Sequence, residues 1–118
     1  PRVDEILAAM AAERVERALC ICTTLEESET VIALAQRDER LFATVGVHPD
    51  SEGVREPGVD DLVALARRPR VVGIGETGLD YYWTPETRAA QLKALDFQAD
   101  LAEARGLPLV LHVRSKDG

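Results

Sequence analysis

Four short runs of the chain are almost continuously apolar and show no alternation of apolar and polar positions. They cover residues 17–23, 41–47, 71–75 and 107–113. A strand with one face in water alternates apolar and polar side chains, whereas a strand covered on both faces does not. Because the strands of parallel sheets are usually covered on both faces, these runs predict four strands of a parallel sheet.

Apolar residues recur at helical spacing in the segments that precede and separate these runs. These stripes are Val3, Ile6, Leu7 and Met10 in the first segment, Val31, Leu34 and Ala35 in the second, Val59, Leu62, Val63 and Ala66 in the third, and Leu92, Leu95, Ala99 and Ala102 in the fourth. The alternation of helices and strands predicts an α/β fold of parallel (β/α) units with right-handed crossovers. A length of 118 residues fits a single domain over residues 1–118.

The fourth helix has the clearest predicted ends. Thr84 is a suitable N-cap, and Pro85 is favoured in a first helical turn. Gly106 follows the last apolar position and is a typical C-terminal stop. These signals predict a helix between Thr84 and Gly106.

The composition limits the classes of function. No run approaches the roughly 18 consecutive apolar residues of a membrane span, and we expect no signal peptide. Cys20 and Cys22 are expected to be reduced thiols on one strand, which favours a cytoplasmic protein. A net charge of −7 argues against a broad basic surface for nucleic acid. It leaves open a local cleft in which bound divalent ions reverse the field.

The second, third and fourth predicted strands each end on an ionisable side chain. These are His48, Glu76 and His112, and the two histidines are the only ones in the chain. In parallel α/β folds the carboxyl ends of the strands share one edge, where ligands and catalytic groups gather. Each residue alone would more often be structural, but imidazole and carboxylate together are suitable ligands for Zn²⁺, Mn²⁺ or Fe²⁺. The pattern therefore predicts a metal or acid–base site.

Candidate substrate-binding residues lie beside this predicted site. Arg114 follows His112 by two positions, so along a strand its side chain faces the same way and could bind phosphate; the alternative is a solvated arginine. Tyr81 and Tyr82, followed by Trp83, could stack on nucleobases; the alternative is packing against the next helix. We assign Tyr81, Tyr82 and Arg114 to substrate binding as a hypothesis.

Gly73, Gly75 and Gly78 have the G-x-G-x-x-G spacing of a dinucleotide-binding turn. Such a turn opens directly into a helix, whereas here residues 79–83 intervene before the helix signals begin. The spacing therefore favours a tight exit from the strand over a nucleotide site.

Three motifs in this order resemble those of the TatD family of metal-dependent deoxyribonucleases, within the metallo-dependent hydrolase superfamily. They are G-V-H-P at 46–49, G-E-T-G-L-D-Y-Y at 75–82 and L-P-L-V-L-H-V-R at 107–114, with Gln98 in the helix between the last two. The resemblance implies a TIM barrel that holds one or two divalent ions (Mg²⁺, Mn²⁺ or Zn²⁺) and cleaves phosphodiester bonds, with DNA or another phosphodiester as the expected substrate.

The resemblance also implies roles for individual residues. Glu76 and His112 match metal ligands of the family, and His48 matches an active-site histidine near the substrate phosphate. Arg114 and Asp80 match two further residues of the motifs, and we group them with His48 as catalytic. One departure is Asp50, where the family often has a histidine; this puts the geometry around His48 in question.

The resemblance covers only part of a barrel. Relatives carry an H-x-H pair after the first strand, a later histidine and a later aspartate, none of which the 118 residues contain. We therefore expect a central fragment, from about helix 1 to strand 5 of a barrel of about 250 residues. We expect the isolated chain to be inactive and to self-associate through open sheet edges. Two alternatives remain: an amidohydrolase-like enzyme acting on an amide, ester or lactone, and a non-catalytic half-domain that binds a ligand.

Overall fold

Four parallel strands form one sheet. The computed structural model describes residues 2–55 and 58–115, with the backbone alone for residues 52 and 55. The strands are β1 (Ala18–Cys20), β2 (Leu41–Val45), β3 (Val71–Asp80) and β4 (Leu109–Arg114). They lie in the order β1-β2-β3-β4, and each neighbouring pair is parallel. The predicted parallel α/β fold is confirmed, with the strand order of consecutive (β/α) units of a TIM barrel.

Helices precede and separate the strands. They are α1 (Arg2–Ala12), α2 (Ser28–Gln36), α3 (Val59–Leu65) and α4 (Arg88–Arg105), with short 3₁₀ helices at Glu52–Arg55 and Pro85–Thr87. The core lies between these helices and the sheet, where Ile32, Ala43, Leu62 and Ile74 are fully buried. Within the described ranges, no helix has the length and apolar character needed to cross a bilayer.

The third strand is longer than the apolar run that predicts it. Its pairing with β4 resumes after an irregularity and continues from Thr77 opposite Leu111 to Asp80 opposite Arg114. The prediction that the strand stops at residue 75 is therefore wrong, because hydrogen bonding to β4 extends it over polar residues. Glu76 consequently lies within the strand, with four strand residues after it.

The fourth helix buries a different face from the one predicted. The buried residues of α4 are Gln91, Ala94, Gln98, Leu101 and Ala102. The predicted stripe is wrong at Leu92, which is 47% exposed. Two glutamines occupy the buried face because they hydrogen-bond to backbone groups at the strand ends, as described below. A periodicity of apolar residues cannot detect polar side chains that are buried with partners.

The ends of this helix are partly as predicted. Gly106 is the C-cap in the left-handed conformation, with φ of 64°, which confirms the predicted stop. Thr84 instead precedes the 3₁₀ helix and makes no side-chain cap hydrogen bond there. Its hydroxyl donates to the carbonyl of Asp80 at 3.1 Å, so it closes the turn after β3.

The sheet leaves apolar side chains exposed on its outer strands. Leu19 and Ile21 are exposed in and after β1, and Leu111 and Val113 are exposed on β4, where Val113 reaches 69%. The outer strands β1 and β4 carry the open edges of this sheet. Self-association through these edges remains a prediction.

Candidate metal centre

Three ionisable side chains from three segments meet at the carboxyl end of the sheet. His48 follows β2, Glu76 lies in β3, and His112 lies in β4. Glu76 Oε1 is 3.1 Å from His48 Nε2 and 3.3 Å from His112 Nδ1. The two imidazole rings have their centroids 4.5 Å apart. The residues that the sequence predicts to converge therefore lie together.

The backbone packs closely around these side chains because glycines occupy the contact points. A Cβ at Gly46 would lie 2.8 Å from Gly75, and a Cβ at Gly75 would lie 2.5 Å from the carbonyl oxygen of Val110. Gly75 also has φ of 147°, which side-chain-bearing residues rarely adopt. These glycines let three strands approach one another at the site. A dinucleotide turn is excluded, because β3 continues through Asp80 and α4 begins only at Arg88.

Asp80 orients His112. Its Oδ2 lies 2.9 Å from His112 Nε2, and its Oδ1 accepts the backbone N–H groups of Tyr82 at 3.1 Å and Trp83 at 2.9 Å. Burial raises the pKa of Asp80, but the hydrogen bonds from Trp83, His112 and Tyr82 outweigh burial and hold the pKa below its usual value. An ionised carboxylate only accepts, so His112 donates to it from Nε2, and in the neutral ring this tautomer leaves the Nδ1 lone pair facing Glu76.

His48 has a similar partner on its other side. Its Nδ1 lies 2.6 Å from Asp50 Oδ1, and the backbone N–H of Asp50 points at the same nitrogen at 3.2 Å. These two contacts call for different tautomers: the tautomer protonated on Nδ1 donates to the carboxylate, which is the shorter contact, and leaves the Nε2 lone pair directed at Glu76, as a metal ligand requires. Asp50, which the sequence marks as a departure from the family, therefore supports His48 in a geometry suitable for a ligand.

The donor set fits a divalent transition ion. One ligand atom from each of His48, Glu76 and His112 lies within 4.8 Å of the other two. Two imidazoles and one carboxylate are donors that Zn²⁺ and Mn²⁺ accept. A carboxylate behind a histidine, as Asp80 lies behind His112, is the usual outer partner of a metal-binding histidine. The cluster can therefore hold an ion through three side chains.

Two buried glutamines of α4 fix the backbone at this site, a role that the sequence reasoning missed. Gln98 accepts the N–H of Val47 at 2.9 Å and donates to its carbonyl at 3.4 Å, next to His48. Gln91 accepts the N–H of Asp80 at 2.7 Å and donates to its carbonyl at 3.1 Å. Both side chains are completely buried. The signal was their spacing of seven residues, which places two polar side chains on one helix face.

Arg114 lies at the end of β4, opposite Asp80 in the strand register. Its carbonyl accepts the N–H of Tyr81 at 2.9 Å, and its side chain is exposed. Among the residues that the structure describes, its guanidinium makes no ion pair with the three clustered side chains. The structure thus places Arg114 on the rim beside the cluster and not within it.

The three consecutive aromatic residues, 81–83, lie in two different environments. The ring of Tyr81 is half-buried beneath the guanidinium of Arg88, at 4.6 Å from the ring centroid. Tyr82 and Trp83 are 49% and 61% exposed and meet edge to face, with centroids 4.6 Å apart. The side chains of Tyr82 and Trp83 therefore do not pack against the next helix, as the alternative interpretation of this segment expected. Their backbone N–H groups are held by Asp80.

The family model described as TatD related DNase matches residues 1–118. The chain belongs to the TatD related DNase family. A similar relative is the 3'-5' ssDNA/RNA exonuclease TatD of Enterobacter lignolyticus, 40% identical over 112 residues, which are 94% of this chain and 43% of that protein. Another is the Uncharacterized metal-dependent hydrolase YcfH of Escherichia coli K12, 35% identical over 95% of this chain and 42% of that protein.

A solved structure of the TatD family confirms the fold. The crystal structure of YjjV, a TatD homologue from Escherichia coli K12, matches with a TM-score of 0.72 and 32% sequence identity. The match covers 86% of this chain and 40% of that one. The chain therefore forms an incomplete TIM barrel and spans less than half the length of the relatives that it matches.

Proposed function

We propose that this chain supplies part of a divalent-metal centre in a hydrolase that cleaves phosphodiester bonds, in the manner of a TatD deoxyribonuclease. One observation carries the proposal: His48, Glu76 and His112 direct ligand atoms to within 4.8 Å of one another at the carboxyl end of a parallel sheet. The family membership supports the class of reaction, because its relatives include a protein named as an exonuclease.

Each side chain has a distinct part in this proposal. Glu76 and His112 hold the ion, and His48 either adds a third ligand or contacts the substrate phosphate. A bound divalent ion supplies Lewis-acid stabilisation of a phosphoryl oxygen. Asp80 keeps the proton of His112 on Nε2, so that Nδ1 is available as a ligand. The metal is Mg²⁺, Mn²⁺ or Zn²⁺, in one or two copies.

The substrate of the proposed enzyme is nucleic acid, with single-stranded ends favoured. Stacking on an exposed aromatic ring requires an unpaired base, and Tyr82 and Trp83 offer such rings next to Asp80. Arg114 on the rim, and Arg88 over Tyr81, provide positive charge for phosphates. Because the chain carries a net charge of −7, attraction of the substrate must be local to this rim.

The test measures metal binding and cleavage separately. Isothermal titration of the purified chain with Mn²⁺ and Zn²⁺ should show binding that Glu76→Gln weakens by about tenfold or more, because the amide lacks the charge of the ligand. Glu103→Gln, an exposed change on α4, is the matched control and should bind as the wild type does. Equal affinity in Glu76→Gln and the wild type would contradict the metal centre.

Cleavage is tested in the full-length protein that contains this chain. Release of nucleotides from single-stranded DNA should depend on added metal, stop with chelator and be lost in Glu76→Gln. Metal binding without cleavage of DNA or RNA, but with hydrolysis of an ester, amide or lactone, would favour the amidohydrolase-like alternative. Absence of all these activities would favour a non-catalytic binding domain.

A further inference from the structure

We propose that the hydroxyl of Thr44 is a positioning group of the candidate metal centre, which fixes the peptide unit that carries Glu76. This inference rests on the proposed function, since it concerns the same site. Thr44 lies in β2 within the apolar run 41–47, and its side chain is fully buried. No feature of its sequence context distinguishes it from a strand residue that packs.

The hydroxyl of Thr44 connects two strands on either side of its own. It accepts the backbone N–H of Cys22 at 3.2 Å and donates to the carbonyl of Gly75 at 2.7 Å. Cys22 follows β1, and Gly75 lies in β3, so one side chain ties both neighbours of β2. A hydroxyl has a single proton, which Thr44 donates to Gly75, so the contact with Cys22 uses a lone pair of the hydroxyl oxygen.

The same peptide unit is held at its other polar atom. The N–H of Glu76 donates to the carbonyl of Cys22 at 2.8 Å. The carbonyl of Gly75 and the N–H of Glu76 belong to one peptide bond, so Thr44 and Cys22 together satisfy both of its polar groups. The Cα of Glu76 is attached directly to this peptide, and its carboxylate is therefore aimed by these contacts at His48 and His112.

Gly75 has no side chain that could restrict the orientation of this peptide unit. A Cβ cannot be added at Gly75 to restrict the backbone, because it would lie 2.5 Å from the carbonyl of Val110. Glycine is the residue with the greatest backbone freedom, so a site that depends on its orientation needs an external constraint. Outer groups that orient a ligand typically change metal affinity about 10- to 100-fold when they are removed.

The test compares Thr44→Val, which keeps the shape and removes the hydroxyl, with Thr44→Ser, which keeps the hydroxyl. By isothermal titration of the folded chain with Mn²⁺ and Zn²⁺, Thr44→Val should bind about tenfold more weakly, and Thr44→Ser should stay within about threefold of the wild type. Full affinity in folded Thr44→Val would overturn the inference.

Ser28→Ala is the matched control for a merely structural effect. Ser28 is also buried, and its hydroxyl contacts the thiol of Cys22 at 3.4 Å and donates to the carbonyl of Thr24 at 3.3 Å. Within the described part of the chain it makes no hydrogen bond to Gly75 or Glu76. Its removal should lower stability and leave metal affinity unchanged. If Ser28→Ala weakened binding as much as Thr44→Val, positioning by Thr44 would be disproved.

Amide hydrogen exchange of the metal-free chain provides a readout that does not depend on the proposed function. Exchange at Glu76 should accelerate about tenfold in Thr44→Val relative to amides of the core strands, and should remain slow in Thr44→Ser. Unchanged exchange at Glu76 would overturn the inference even if the metal centre is correct. A wild-type chain that binds neither ion would overturn the metal centre, while exchange would still decide whether Thr44 fixes the peptide.

If Thr44→Val does not fold, Thr44→Cys replaces it, because a thiol is a weaker donor and acceptor of similar size. Its metal affinity and its amide exchange rate at Glu76 should then lie between the wild-type values and those expected for Thr44→Val. Wild-type values for both in Thr44→Cys would contradict the role of the hydroxyl.

Discussion

The apolar core beneath α1 and α2 and the polar layer at the carboxyl ends of β2–β4 are held together in different ways. In the core, side chains such as Ile32 and Leu41 pack by shape and apolar area alone. In the polar layer, Asp80, Gln91 and Gln98 are as deeply buried, but each makes hydrogen bonds. Gln98 pairs with the backbone of Val47, Gln91 with the backbone of Asp80, and the carboxylate of Asp80 with His112. The stability of the core therefore depends on how well the side chains fill space, whereas the polar layer depends on hydrogen bonds made by individual polar atoms.

This difference predicts which substitutions affect stability and which affect the site. In the core, changes of volume should lower the free energy of unfolding without altering metal affinity. In the polar layer, changes that preserve volume but alter one polar atom should alter metal affinity. Ile32→Ala and Asp80→Asn test the two regions, and Asp38→Asn tests a polar contact that lies outside both.

The largest effect on stability is expected for Ile32→Ala in the core. Ile32 is completely buried on α2, and the truncation leaves a cavity, so the free energy of unfolding should fall by about 2–5 kcal/mol. Urea denaturation followed by circular dichroism measures this change. The folded variant should bind Mn²⁺ as the wild type does, and weaker binding would show that the two regions are coupled.

A smaller free-energy change, confined to the site, is expected for Asp80→Asn. The amide keeps the volume but loses the charge that holds the proton on His112 Nε2, so Mn²⁺ affinity should fall by about 10- to 100-fold. Calorimetric titration measures the affinity. Asp96→Asn, an exposed change on α4, serves as the control. Wild-type affinity in Asp80→Asn would remove Asp80 from the metal centre.

The smallest effect concerns Asp38, which precedes β2 outside the polar layer. Hydrogen bonds from the side chain and backbone of Arg40 hold the pKa of Asp38 well below its usual value of 3.8. A carboxyl with a depressed folded-state pKa contributes stability above the unfolded pKa and loses it as pH falls through the folded pKa.

Wild-type stability should therefore decline below about pH 3.8 more than that of Asp38→Asn, which has no carboxylate to protonate. Urea denaturation at pH 7 and pH 3 measures the difference between the two proteins. The neighbouring Glu39→Gln is a control of the same charge change. An identical pH dependence in the wild type and Asp38→Asn would show that the contact with Arg40 is not maintained in solution.

Much of the fold was predictable because burial on both faces leaves a direct trace in the sequence. The four apolar runs correspond to the four strands, and Gly106 ends the last helix as predicted. The buried face of α4 was predicted wrongly because polar residues lie on it. Gln91 and Gln98 are polar and yet buried, because they pair with backbone groups of Asp80 and Val47, which are 11 and 51 positions away in sequence.

The candidate site was predictable only in outline. The topology of parallel strands brings residues at their carboxyl ends to one edge, which is why His48, Glu76 and His112 could be grouped from sequence. The extension of β3 to Asp80 was not predictable, because it depends on pairing with β4. The exposed position of Trp83 and the rim position of Arg114 likewise depend on how that segment is anchored.

The sequence by itself therefore determined the element order, the parallel sheet and the residue types that meet at its edge, because periodicity and chain order encode them locally. Only the tertiary structure decided which atoms face one another. Asp80 lies behind His112, Asp50 lies beside His48, and Thr44 holds the peptide of Glu76. These partners are far apart in sequence or lie on tight turns, and their contacts depend on angles and distances of a few ångström that local pattern does not encode.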